Sequence, residues 1–86
     1  MENQDNKLRN ACFEAFLFFE QLGDPKNSEI QSKLEFVVGS YDYDKNPIGL
    51  YEIGEIALRI LNDIMKKSPK KVNKKIIDDL EKSLKR

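Results

Sequence analysis

Apolar side chains recur every three or four residues through most of this chain, and no useful length of it alternates apolar with polar. A period of 3.6 is that of an α-helix, whereas a strand would show a period of 2. The spacing predicts an all-α fold. Proline, glycine and asparagine punctuate it into four segments, at about 5–22, 28–41, 47–67 and 70–85. The links are short, so successive helices should lie antiparallel in a small four-helix bundle. A chain of 86 residues and 10.0 kDa is one domain, taken here as 1–86.

The first segment places Leu8, Cys12, Ala15, Phe16, Phe19 and Leu22 on one stripe, and Gly23-Asp24-Pro25 ends it. In the second, Ile30, Leu34, Val37, Val38 and Tyr41 form the seam. Asn27 or Ser28 is the expected cap, and Gly39 and Ser40 weaken the last turn. Asp42 to Asn46 reads as a loop. Asn46-Pro47 then reads as a cap followed by proline at the first helical position, where a missing N–H costs nothing. The third segment carries the broadest face: Leu50, Ile53, Ala57, Ile60, Leu61 and Ile64, widened by Ile56, Leu58 and Met65. Such a face suits a central helix with several neighbours. In the fourth, Val72, Ile76, Leu80 and Leu84 make the seam. Its start is set either by Ser68-Pro69 or by Asn73, and a three-helix core with a loosely docked fourth helix is the alternative architecture. Glu55, Arg59 and Asp63, and then Lys74–Asp78, Lys75–Asp79 and Asp78–Lys82, have the spacing of i,i+4 ion pairs. Gly54 inside the third helix costs about 0.8–1 kcal/mol relative to alanine, which points to a neighbouring backbone approaching closely there.

Composition narrows the chemistry. There is no His and only one Cys, so a disulfide framework and a Cys/His zinc site are excluded, and the commonest general base near neutral pH is missing. The five serines have no histidine to activate them, Cys12 has the spacing of a core residue, and no phosphate-cradling glycine loop is present. We therefore expect no enzyme, and no catalytic, cofactor or metal site. The one metal-like pattern is Asp42-x-Asp44-x-Asn46, the opening of a calcium loop. Its later positions fail: Pro47 stands where glycine is needed and Ile53 where a bidentate Glu is needed. A polar turn that caps the third helix is the expected outcome.

Two surface features point to binding. Residues 1–46 hold five basic and nine acidic side chains, a net of −4, and residues 47–86 hold ten and six, a net of +4, so the whole chain is neutral. The basic excess is concentrated in Lys66, Lys67, Lys70, Lys71, Lys74 and Lys75, ten residues without an acid. That cluster invites an anion, although no Arg or aromatic is interleaved to grip phosphates or stack on bases. The second feature is apolar surplus. From Ala11 to Phe19 only Glu14 is polar, and Phe13 and Leu17 project outside the helix-one stripe, as Phe36 does opposite the helix-two seam. Either flanking helices or the Tyr41–Tyr43 loop cover them, or they form an interface. The polar, acidic start, the lack of any apolar run longer than Ala15–Phe19, and a single unpaired Cys give a cytoplasmic, membrane-free expectation. The function expected is an interaction or assembly module, dimeric or bound to a protein partner. An anion- or nucleic-acid-binding role through the six lysines is the alternative.

Overall fold

A proline stands in each of the three links expected between helices (Pro25, Pro47 and Pro69), and the computed structural model, which describes residues 4–85, places its turns there. Four helices result: α1 (Gln4–Leu22), α2 (Ser28–Asp44), α3 (Ile48–Lys67) and α4 (Lys74–Leu84). Short 3₁₀ turns at Pro25–Asn27 and Pro69–Lys71 lead into α2 and α4. Gly23 adopts a left-handed φ of +65°, and its amide donates to the Phe19 carbonyl to close α1. No strand occurs among the described residues.

Cross-links fix the directions. Arg9 and Asn6 near the start of α1 meet Asp42 and Tyr41 near the end of α2, so the two run antiparallel. The side-chain amide of Gln4 donates to the carbonyls of Ser83 and Lys85, which sets α4 antiparallel to α1. Each helix packs on the next, and α1 and α3 also touch across the centre. The result is a flattened body of 35 × 23 × 17 Å. Phe19, Leu8, Leu34, Leu50, Leu61 and Leu80 are fully buried within it, while Phe16, Ile53 and Ile60 pack around that centre half-buried.

Several expectations change. Helix two does not stop at Tyr41: it continues through Asp42-Tyr43-Asp44 and ends only where Lys45 turns left-handed, at φ 61°. Tyr41 is buried and its hydroxyl donates to Asn6 at 2.8 Å, and this tertiary anchoring outweighs the weak propensity of Gly39 and Ser40. Asn27 makes no side-chain cap bond and is itself buried. The capping oxygen belongs to Asp24, which accepts from the Lys26 amide at 3.0 Å and starts the 3₁₀ turn instead. Helix four begins at Lys74 rather than near residue 70, because the Asn73 side chain accepts from the Lys75 amide at 2.9 Å. The loosely docked alternative also falls: Val72, Ile77 and Leu80 are buried, Leu80 completely. Gly54 is approached by side chains, not backbone. A Cβ there would lie 3.2 Å from the tip of Leu84 and 3.5 Å from Cys12 and Leu8.

Candidate functional site

Helix register decides which apolar residues stay outside. On α1 the buried residues Leu8, Ala11, Cys12, Ala15 and Phe19 face inward. Asn10, Phe13, Leu17, Glu20 and Gln21 are exposed on the opposite face. Phe13 is 39% exposed and Leu17 40%, one helical turn apart. Phe13 stacks on Phe16 with centroids 6.1 Å apart, and the Arg9 guanidinium sits 5.3 Å from its ring centre. Leu17 lies with Phe18, Leu22 and Ile76 along a groove of about 600 Å³ between α1 and the start of α4, rimmed by Lys71 and Lys75.

Phe36 does not join them. It stands 73% exposed on the outer face of α2, seven residues before Tyr43, which is 92% exposed. Tyr43 therefore covers nothing, and no ring packs on Phe36 among the described residues. Ile48, which the sequence reading did not single out, and Ile56, expected to widen the apolar face of α3, are also exposed. Their signal lay in the sequence: Ile48 falls on the charged strip of α3, and Ile56 at the edge of its broad apolar face.

The six lysines split along the chain. Lys66 and Lys67 end α3, Lys70 and Lys71 sit in the 3₁₀ turn, and Lys74 and Lys75 open α4. Lys67 pairs with Asp63 at 3.4 Å, and the other five make no ion pair among the described residues. The expected pairs of Lys74 with Asp78 and Lys75 with Asp79 do not form. Nor do Asp78–Lys82, Glu55–Arg59 or Arg59–Asp63. Those i,i+4 pairs that do form, Glu29–Lys33, Asp63–Lys67 and Glu81–Lys85, all place the acid first, the order that helix geometry favours.

The acidic motif is spent on local structure. Asp42 receives two hydrogen bonds from Arg9, at 3.0 and 2.8 Å, and Arg9 holds its carboxyl below the usual carboxylate range. Asp44 accepts from the Asn46 amide at 2.9 Å, and Asn46 accepts from the Ile48 amide at 3.1 Å. The second bond lets Asn46 hold the first amide of α3, but Pro47 stands at the N-cap, one place before the first helical residue, and not at the first helical position its sequence context implied. No group of three or more His, Cys, Asp or Glu side chains is poised around a common point among the described residues. Adding millimolar calcium should leave the Asp42 and Asp44 amide resonances unmoved in a heteronuclear NMR titration. A saturable shift of both would overturn this assignment.

No helix among the described residues is long and apolar enough to cross a membrane. Comparison with protein-family models, with curated proteins and with solved structures finds no match to this chain.

Proposed function

We propose that the chain is a small, non-enzymatic helical module that assembles through the outward face of α1, with itself or with a protein partner. The observation that carries this reading is the adjacent exposure of Phe13 and Leu17 on a helix flanked by α2 and α4. Large apolar side chains grouped in this way are the usual anchors of an interface. A buried, unpaired Cys12 is compatible with a cytoplasmic setting. Sedimentation equilibrium over a wide concentration range tests the reading. The wild type should self-associate, and Phe13→Asp should weaken association by about 30-fold, the loss of about 2 kcal/mol that removing an aromatic anchor brings. A strict monomer at all concentrations, indifferent to Phe13→Asp, counts against assembly with itself.

A second reading rests on the five lysines without ion pairs: an anion- or nucleic-acid-binding accessory protein. It predicts binding of labelled duplex DNA at low salt that falls steeply as salt rises. Lys→Gln at positions 70, 71, 74 and 75 should abolish that binding, and no binding at low salt removes the reading.

A further inference from the structure

Acidic α2 and the lysine-rich segment that opens α4 lie on opposite flanks of α1. On the α2 flank, Asp42 bonds to Arg9. Glu35 precedes Asp42 by seven residues, so it lies on the same side of α2, about 10.5 Å further along. That places it at the level of Leu17, since α1 and α2 are antiparallel. Across α1, Lys75 and Lys71 rim the groove that contains Leu17 and Gln21. Glu35 and Lys75 are thus at one height on either side of Leu17. Both are exposed, and neither has an ion-pair partner among the described residues.

Symmetry then selects an arrangement. A two-fold axis running along α1 lays α1 on the α1 of a second copy, parallel, and places α2 of each copy over α4 of the other. Glu35 of one copy then faces Lys75 of its mate, and Glu20 leans toward the same lysines. The antiparallel alternative sets α2 against α2 and α4 against α4, acid on acid and lysine on lysine. Opposite charges facing across an interface fix its register, and like charges reject the wrong one. Residues 10, 13, 17 and 20, all exposed, are spaced three, four and three apart, the repeat of a helix–helix seam, and a polar Asn in such a seam helps to set register. Glu14 also lines the groove and offsets part of the lysine charge, which leaves the flank basic on balance.

We propose that the chain forms a parallel two-fold dimer in which Phe13 and Leu17 of α1 meet their own copies, and the acidic flank of each α2 covers the lysine-rimmed α1–α4 groove of the other. This rests on the self-association reading above and specifies its geometry. The test is single-site disulfide trapping under mild oxidation, with Asn10→Cys and Leu17→Cys made separately and wild type, whose Cys12 is buried, as the control. The two positions are about 10.5 Å apart along α1. A parallel dimer traps at both. An antiparallel one traps at one position at most, because the second pair would then be about 21 Å apart, far beyond disulfide reach. In sedimentation, Glu35→Lys or Lys75→Glu should each weaken the dimer by about 10-fold, and the two together should restore it. Rising salt should weaken the wild-type dimer. Trapping at one site only, or no rescue by the double exchange in a dimer that Leu17→Glu still dissolves, overturns this arrangement and leaves self-association standing. A monomer at millimolar concentration overturns both.

Discussion

Replacing Phe19 with alanine removes about 3–5 kcal/mol of folding stability. The ring is fully buried at the centre of the body and meets Phe18 edge-to-face with centroids 5.5 Å apart. Its loss costs both the transfer of the ring out of water and the cavity left behind, since four packed helices cannot collapse into the gap. A domain of this length holds only about 4–13 kcal/mol in total, so a single truncation takes a large share of it. The melting temperature should fall by roughly 4–8 °C per kcal/mol. Chemical denaturation followed by circular dichroism measures the loss. Phe36→Ala is the control: with its ring in solvent, it should change stability by less than about 0.5 kcal/mol. A Phe19→Ala loss below that of Phe36→Ala would mean that α1 does not pack as described.

Raising the pH from 9 toward 12 destabilises the fold. Burial pushes the Cys12 thiol from 9.0 up to about 12. Above pH 9 the unfolded chain loses this proton and the native state keeps it. Stability therefore falls with pH, fully present below the unfolded value and lost as pH climbs through the folded one, by up to about 1.4 kcal/mol per pH unit. Tyr41 acts in the same direction, because burial and the neighbouring Asp5 and Asp42 carboxylates raise its phenol. Urea unfolding at pH 7, 9 and 10.5 checks the sign. Cys12→Ala should flatten most of the slope, and native Cys12 should react with a thiol reagent far more slowly than the unfolded protein does. A stability that is level to pH 10.5 would refute the buried placement of this thiol.

The four helices were legible because each seam repeats over three or more turns, and period outlasts local noise. Boundaries were less so, for reasons that differ from site to site. Asn27 has the right chemistry for a cap but the wrong place, since Asp24 captures the turn first. Gly39 and Ser40 signal a fraying end, and only the burial of Tyr41 against Asn6, 35 residues away in sequence, keeps α2 going to Asp44. The choice between Pro69 and Asn73 needed the Asn73 hydrogen bond itself. That Phe13, Leu17 and Phe36 fall off the buried stripes was readable from helix register, but whether neighbouring segments cover them was not. What register within one helix cannot reveal is that α2 and α4 flank α1, which separates Phe36 from the other two and seats Leu17 beside Lys75.

The arrangement that joins Gln4 to the carbonyls at the far end of α4 also dictates an order of events during synthesis. The first helix made is the one that must wait for the last. Between Leu22 and the beginning of α4 at Lys74 some fifty residues must still be translated, a matter of seconds at about 5–20 residues per second. Through that interval the flank of α1 destined for α4 is uncovered on the nascent chain, so a truncated translation product should be a sticky one.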